Sequence, residues 1–364
     1  MRGGININEK RIIIITGIVF GLLGGGLVLL GNPDNMGFCI ACFLRDIAGS
    51  LGMHQASVVQ YIRPEVIGLI LGAFIISKAN GEFRPTAGSA TATRFLLAVF
   101  IMFGALIFLG CPLRMVLRLA GGDLTSLPAF LGFIVGIIIG TEFLKNGFNL
   151  GRSYRQSSFE GYIAPLTSVV LLLLLIMAPG VLIFSQEGPG SLSAPIVVSL
   201  IAGLVGGALA QRSRLCMAGG IRDIYLIRDF TLFTGFIFIF IVALVFNLIA
   251  GQFQLGFEGQ PVAHTDHLLS FLGMALVGIC AILLGGCPLR QLILAGSGDG
   301  DGAVAVFGMI VGGALAHNLG VAASPEGVST EGIITLIIGF IFVLVTAFMN
   351  METIGLSSSS KVRQ

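Results

Sequence analysis

Four cysteines stand at the start of short segments that also carry an arginine. The pentapeptide Gly-Cys-Pro-Leu-Arg occurs twice, at Gly110–Arg114 and at Gly286–Arg290. A second motif precedes each copy and ends in an Arg-Asp pair, reading CIACFLRD from Cys39 and CMAGGIRD from Cys216. A polarisable thiol beside a fixed positive charge is suited to contact a small anion that contains a soft atom.

The second half of the chain repeats the motif residues of the first half. Each repeated residue recurs 176 or 177 positions later, and each pentapeptide is followed by a Gly-Asp pair. The residues placed in this way, which we predict to form the functional site, are Cys39, Cys111, Cys216 and Cys287, with Arg45, Arg114, Arg222, Arg290, Asp46, Asp123, Asp223 and Asp299. The chain is therefore a tandem duplication.

The composition that surrounds these motifs is that of a membrane protein. Hydrophobic residues make up 55% of the chain and charged residues only 10%, whereas a soluble domain carries about 25% charged residues. The 53 glycines fit the close packing of membrane helices. The net charge of +2, without a basic cluster, gives no indication of nucleic-acid binding. The bilayer is the expected surrounding of this chain.

Ten apolar runs are long enough to cross a bilayer as helices. They lie at 12–30, 64–80, 94–110, 127–145, 162–184, 195–211, 230–250, 267–285, 303–321 and 332–349. The four motif segments are too short to cross, and lie at 37–52, 111–121, 216–227 and 287–296. We predict an all-α integral membrane protein with about ten transmembrane helices and four short half-helices that carry the cysteine motifs.

The positions of lysine and arginine predict the orientation, because cytoplasmic segments of membrane proteins are enriched in both. With the amino terminus inside, the positive residues that fall in cytoplasmic segments include Arg2, Lys10, Arg11, Lys78, Arg84, Arg94, Lys145, Arg152, Arg155, Arg212, Arg214, Lys361 and Arg363. Three of the loops assigned to the outside, 185–194, 251–266 and 320–331, contain neither residue type. The few outward positive charges, Arg45, Arg63, Arg114 and Arg118, belong to or adjoin the motifs. We expect a multi-pass protein of the inner (cytoplasmic) membrane with both termini in the cytoplasm.

The same span count predicts that the two halves are inverted. Five spans separate Cys39 from Cys216, and an odd number places the two motifs on opposite sides of the membrane. Inverted repeats with broken helices recur in transporters, where the substrate path lies at the repeat interface. The predicted units are a first repeat at 1–161, a connecting transmembrane helix and loop at 162–194, a second, inverted repeat at 195–330, and a final helix with a tail at 331–364.

The prolines of the two pentapeptides favour the first position of a helix, where a missing N–H leaves no bond unmade. Cys111 and Cys287 are therefore predicted N-cap residues beside free N–H groups and the positive end of a helix dipole. Two such ends that face each other would form a symmetric, electropositive constriction lined by sulfur. Further charge would come from Arg114 and Arg290 one turn along, from Arg45 at the outer mouth and from Arg222 at the inner mouth. The four aspartates would neutralise arginines and accept backbone N–H groups.

A structural interpretation competes with this one at every position. A lone membrane cysteine is usually an inert packing residue, and a matched Arg-Asp pair can be a clamp, but the symmetric placement favours a substrate path. Cys42 has Gly219 as its counterpart, so the Cys-x-x-Cys pattern is not repeated. No motif contains histidine, and we predict no metal site and no cofactor. Cys280 has no counterpart and is predicted to pack. The chain shows no nucleotide motif or catalytic triad, which argues against an ATP-driven pump or a membrane enzyme.

The paired pentapeptides and Cys-x6-Asp motifs resemble those of the YeeE/YedE sulfur-transport family over nearly the whole chain. That resemblance implies import of thiosulfate through an hourglass-shaped protein built on inverted repeats, with cysteines that hand the ion on through S–H···S contacts. By motif match these cysteines are Cys111, Cys216 and Cys287, with Cys39 as the outer counterpart. The first-half sequence GNPDNMGFCIACFLRDIAGSLG is closest to the YedE branch, which is linked to selenium metabolism. The family also implies a cytosolic TusA-like sulfur carrier as a partner.

Three functions are compatible with these observations. The first is a carrier or channel for a small sulfur- or selenium-containing anion, and the inverted topology and motif placement favour it. The second is a membrane thiol enzyme, such as a sulfurtransferase that uses Cys39 and Cys42. The third is a structural or sensory subunit of a selenium pathway. None of the three is expected to be an ATP-driven process within this chain.

Overall fold

A computed structural model describes residues 7–351 of the chain. The helices of the first half are α1 (Ile7–Leu29), α2 (Ile40–Ser50), α3 (Pro64–Ala79), α4 (Thr91–Ile107), α5 (Pro112–Ala120), α6 (Ser126–Lys145) and α7 (Ser158–Met177). Those of the second half are α8 (Ile196–Ser213), α9 (Met217–Ile227), α10 (Thr231–Ala250), α11 (His267–Leu284), α12 (Pro288–Gly296), α13 (Gly300–Asn318) and α14 (Thr330–Met349). A two-residue antiparallel pair joins β1 (Thr86–Ala87) to β2 (Tyr154–Arg155).

The predicted all-α membrane fold is confirmed. Residues 7–351 form ten long helices and four short ones, α2, α5, α9 and α12, and the short ones coincide with the cysteine motifs. Nine helical segments of this range are long and apolar enough to cross a membrane, and α3, with 16 residues, is the shortest of the ten long helices. The predicted tail after the last helix, with Lys361 and Arg363, and also Arg2, lie outside the described residues.

The two halves of the molecule are inverted relative to each other. The first helices of the halves, α1 and α8, pack together directly. The Thr16 hydroxyl lies 3.5 Å from the Leu209 carbonyl oxygen. Phe20 is one turn after Thr16 on α1, and its ring lies beside Gly206, which is one turn before Leu209 on α8. Corresponding helices are therefore antiparallel. This is the geometry of a pseudo-two-fold axis in the membrane plane.

Each half packs mainly against the other half. The helix pairs α3–α8 and α1–α10 are equivalent under the repeat, and so are α6–α11 and α4–α13. The half-helices follow the same rule, since α5 packs on α10 and α12 packs on α3. Among the helices, only the last one of each half makes contacts that are not equivalent under the repeat. Helix α7 lies against α3 and α12, whereas α14 lies against α4 and α11. The repeat interface is thus the core of the protein.

Glycine brings the helices of this interface into backbone contact. A Cβ atom at Gly72 of α3 would lie 2.1 Å from the Leu204 carbonyl oxygen of α8. At Gly132 of α6 a Cβ would lie 2.0 Å from the Phe271 carbonyl oxygen of α11. Such approach is possible only without a side chain, which is the usual role of small residues between membrane helices.

Candidate functional site

The four repeated cysteines form two sulfur pairs, one in each half. The Sγ atoms of Cys39 and Cys111 lie 4.0 Å apart, and those of Cys216 and Cys287 lie 3.8 Å apart. All four thiols are buried and free. The distances are far longer than the roughly 2.05 Å of a disulfide bond and suit an S–H···S hydrogen bond. The half-helix motifs therefore place the four thiols in two pairs, one pair in each half of the chain.

The two members of each pair differ in what their thiols do at the helix end. The Cys39 sulfur accepts the Cys42 backbone N–H, and the Cys216 sulfur accepts the Gly219 backbone N–H, both at 3.3 Å. These thiols cap α2 and α9. Cys111 occupies the N-cap position of α5, as predicted, but its thiol makes no capping hydrogen bond. The same holds for Cys287 at α12.

That the Cys111 and Cys287 ends face each other stays a prediction, and the structure gives each of the two thiols a sulfur partner from its own half of the chain. The sulfur within reach of Cys111 is that of Cys39, and the sulfur within reach of Cys287 is that of Cys216. The N-termini of α2 and α5 converge at one pair, and those of α9 and α12 converge at the other. Each pair therefore lies at the positive ends of two helix dipoles, an environment that favours an anion.

Arg114 is a buried structural clamp in the first half. Its guanidinium donates to the carbonyl oxygens of Asn35 at 2.7 Å and Val262 at 3.2 Å, and also to that of Leu109. It donates further to the Cys42 sulfur at 3.3 Å. Leu109 has a left-handed φ of 61°, a conformation that costs a non-glycine residue about 1–2 kcal/mol. The clamp holds this strained turn just before Cys111.

Arg290, the counterpart of Arg114, has no such partners. Gly219 stands where the first half has Cys42, and Gly285, with φ of 91°, stands where the first half has Leu109. The Nη1 atom of Arg290 is buried without a hydrogen-bond partner, and the side chain lines a cleft of about 410 Å³. The same pentapeptide therefore produces a clamp in one half and an available charge in the other.

The aspartates of the first half are fully engaged with arginines. Asp46 accepts from Arg45 at 2.7 Å and from Arg63 at 2.8 Å. Asp123 accepts from Arg118 at 2.6 Å. Arg45 is only 3% exposed, and its position at the outer mouth stays a prediction. Its charge is neutralised inside the protein.

The aspartates of the second half are less enclosed. Asp223 accepts from Arg222 at 2.7 Å, and the Arg222 side chain is 34% exposed, consistent with a position at the inner rim. Asp299 is the N-cap of α13 and accepts the Gly302 backbone N–H at 2.9 Å. It forms no ion pair with an arginine within the described part of the chain. For Asp299, the prediction that it accepts a backbone N–H holds, whereas the prediction that it neutralises an arginine does not.

Two buried histidines hold loops in place through hydrogen bonds to the backbone. The Nδ1 atom of His264 accepts the Asp266 backbone N–H at 3.2 Å, and its Nε2–H donates to the Ile107 carbonyl oxygen at 2.7 Å. His54 makes the same pair of bonds, to Ala56 and to the Arg45 carbonyl oxygen. Burial lowers the pKa of both side chains below 6.5. Both rings are therefore neutral, since a proton on Nδ1 would remove the accepted bond.

The predicted site did not include Arg63 or Arg118, and Cys42 entered only through the sulfurtransferase alternative. Arg63 is fully buried, lies over the Phe43 ring at 4.9 Å and donates to two loop carbonyls as well as to Asp46. Arg118 also donates to the Thr125 hydroxyl. None of the three recurs in the second half, so the repeat comparison gave no signal for them. For Arg63 and Arg118 the only available signal was a charge within an apolar chain, whereas the signal for Cys42 was the Cys-x-x-Cys pattern.

Residues 212–356 match the family model described as Sulphur transport. The matched range contains the motifs of Cys216 and Cys287 and covers the second half of the chain, whereas the first half lies outside it. Among curated proteins, none matches the chain. The match supports the resemblance that the motifs show and favours a transporter over an enzyme.

Proposed function

We propose that the protein imports a small sulfur- or selenium-containing anion across the inner membrane along the two sulfur pairs. One observation carries the proposal. Inverted repeats bring two pairs of half-helix N-termini together, and a pair of free thiols 3.8–4.0 Å apart lies at each of them. The match of residues 212–356 to the Sulphur transport model supports the same substrate class.

The chemistry of each pair suits a solute that is both soft and anionic. A thiol offers a weak S–H donor and a polarisable sulfur that can contact a terminal sulfur or selenium atom. The converging helix ends stabilise the negative charge without a full counter-ion. The solute is contacted and released, and no covalent bond to Cys39, Cys111, Cys216 or Cys287 is needed. In this proposal Cys39 and Cys111 receive the anion from outside, and Cys216 and Cys287 pass it inward.

Several finer features belong to the proposal. We place both termini in the cytoplasm, the repeat boundaries at 1–161 and 195–330, and the connecting and final units at 162–194 and 331–364. Resemblance of the first half to the YedE branch favours a selenium compound as a substrate beside thiosulfate. A cytosolic TusA-like carrier is the expected acceptor of the imported sulfur.

Reconstituted liposomes test the function. We expect uptake of radiolabelled thiosulfate, selenite or a selenide source by the wild-type protein and none by empty liposomes. The Cys111→Ser, Cys287→Ser double variant should lose at least 90% of that uptake, because serine retains size and polarity but lacks the soft sulfur. A tenfold loss of uptake corresponds to about 1.4 kcal/mol. Cys280→Ser is the matched control, since Cys280 is buried outside both pairs.

Two outcomes would contradict the proposal. Near-wild-type uptake by the double variant would exclude a role for these thiols in contacting the solute. Recovery of a chemically altered product, with sulfur transferred to a thiol acceptor, would favour the sulfurtransferase alternative that uses Cys39 and Cys42.

A further inference from the structure

The repeat produces two equivalent clefts, one on each side of the membrane. In the inner vestibule, which we define by Arg84, Arg214, Arg290, Glu82, Gln211 and Asp299, the Arg84 backbone N–H donates to the Ser297 carbonyl oxygen at 3.1 Å. In the outer vestibule, defined by Asp34, Asn35, Gly37, Gly121, Gln252 and Gln254, the Gln254 backbone N–H donates to the Gly121 carbonyl oxygen at 2.8 Å. Gly121 and Ser297 are repeat counterparts, so the two clefts correspond.

The charges of the two vestibules differ at matched positions. Through these equivalent hydrogen bonds, Arg84 of the inner vestibule corresponds to Gln254 of the outer one. Two residues before the capping cysteine, the inner half has Arg214 and the outer half has Gly37. The outer vestibule, about 290 Å³ in volume, is lined by no lysine or arginine among the described residues, because Arg114 is enclosed in its clamp. The duplication has therefore diverged in charge on the inner side.

The inner arginines are free to bind an anion. Arg84, Arg214 and Arg290 form no ion pair and no side-chain hydrogen bond with any described residue. The two acidic residues of the vestibule accept hydrogen bonds from groups other than these arginines: Glu82 accepts from Gln211 at 3.1 Å, and Asp299 caps α13. Three guanidinium groups against two carboxylates leave a positive cleft.

Arg290 indicates that the positive charge of the inner vestibule does more than set the orientation of the protein in the membrane. Cytoplasmic loops of membrane proteins are enriched in arginine, which would account for the exposed Arg84 and Arg214 alone. Arg290 instead stands on half-helix α12, and its Nη1 atom is buried without an acceptor. A buried donor without a partner is unfavourable, and an anion in the cleft would supply the acceptor.

We infer that the inner vestibule is a binding site for a small divalent oxyanion, held by Arg84, Arg214 and Arg290. The site adjoins the inner sulfur pair, since Arg290 follows Cys287 by one turn and Arg214 precedes Cys216 by two residues. That the bound ion is the transported solute rests on the proposed function. In that case the vestibule receives the anion from the inner pair and holds it before release.

Equilibrium binding to the detergent-purified protein tests the site without any transport. We expect thiosulfate to bind in isothermal titration at low ionic strength, and sulfate to compete, because the arginines recognise charge rather than sulfur. The Arg84→Gln, Arg214→Gln double variant should bind roughly 100-fold more weakly, about tenfold for each guanidinium group removed. The Arg84→Lys, Arg214→Lys variant should recover part of the affinity.

The matched control is Arg152→Gln, Arg212→Gln. Both residues are exposed in predicted cytoplasmic segments, and neither lines the vestibule, so binding should stay within about twofold of wild type. Equal weakening by this control would show a general charge effect and overturn the site. Wild-type affinity in the Arg84→Gln, Arg214→Gln variant, or no binding by a folded wild-type protein, would also overturn it.

Binding and flux separate this inference from the proposed function. The Cys111→Ala, Cys287→Ala variant should lose uptake yet retain thiosulfate binding at the vestibule. If the wild type binds in an arginine-dependent manner but transports nothing, the proposed function fails and the vestibule stands. If the wild type transports and the arginine variants bind normally, the vestibule fails and the proposed function stands.

Discussion

The half-helix pairs of the first and second halves of the chain use the same pentapeptide in different ways. In the first half, Arg114 is fully buried and donates to three backbone carbonyls and the Cys42 sulfur. In the second half, Arg290 faces a cleft and keeps an unpaired donor. The difference arises from neighbours, since Gly219 removes the sulfur acceptor and Gly285 removes the strained turn. An identical motif thus does not imply an identical role.

This comparison also separates stability from function. The charged residues around the first sulfur pair form closed networks, Arg45–Asp46–Arg63 and Arg118–Asp123, all buried. The cleft beside the second sulfur pair is lined by Arg84, Arg214 and Arg290, which form no ion pairs with the described residues. We therefore expect substitution of the arginines in the networks to affect folding, and substitution of the three cleft arginines to affect anion binding.

The largest expected effect separates Arg114 from Arg290. Arg114→Leu leaves three carbonyl oxygens without a donor, that of Leu109 buried and those of Asn35 and Val262 partly buried. Because a buried acceptor without a partner costs roughly 1–3 kcal/mol, this variant should greatly reduce the yield of folded protein and its melting temperature. Arg290→Leu leaves no acceptor unpaired and should fold normally while anion uptake falls about tenfold or more, with partial recovery in Arg290→Lys. Melting curves and liposome uptake measure the two effects. Similar losses of stability in both variants would contradict the distinction.

A smaller effect distinguishes the capping cysteines from their partners. Alanine at Cys39 or Cys216 removes a helix cap and should lower the free energy of unfolding by about 1 kcal/mol, whereas serine should keep most of it. At Cys111 and Cys287, whose thiols do not cap, serine and alanine should be equally stable. Denaturation of single variants in one detergent makes the comparison. A cap-like difference between serine and alanine at Cys111 would show that its thiol caps α5 after all.

The smallest expected effect is an acid sensitivity of the outer face. All four histidines, His54, His264, His267 and His317, fall on the side predicted to be outside. Because burial lowers the pKa of His54 and His264 below 6.5, the unfolded chain binds more protons than the folded one as pH falls below about 6.5. The stability they contribute is complete above that pH and decreases as pH falls through the lowered pKa values.

Melting temperatures at pH 7.5 and pH 5.5 measure this sensitivity. The wild type should have a lower melting temperature at pH 5.5. The free energy of unfolding should fall by at most about 1.4 kcal/mol per histidine and pH unit. The His54→Gln, His264→Gln variant should lose most of the difference while being less stable at pH 7.5. An unchanged pH dependence in that variant would place the sensitive groups elsewhere.

Much of the fold could be predicted because it depends on local sequence. Apolar runs set the long helices to within a few residues over most of their ends, and the prolines of the pentapeptides set the starts of α5 and α12. The sulfur partners could not be predicted, because which thiol Cys111 meets depends on how α2 and α5 pack. The choice of Arg118 as the arginine that pairs with Asp123 could not be predicted for the same reason. Arg114 and Arg118 lie on one face of α5, and only the tertiary surroundings select between them.

The backbone contacts at Gly72 and Gly132 bear on the energetics of turnover. These contacts join α3 to α8 and α6 to α11, so they hold one repeat against the other at two separate places. Sliding either helix pair would drive side chains into carbonyl oxygens, and packed helices resist such displacement. The two repeats therefore form one rigid frame, and passage is left to side chains and half-helices. Flux through such a frame should have a low activation enthalpy and depend only weakly on temperature, as ion permeation does and rocking carriers do not.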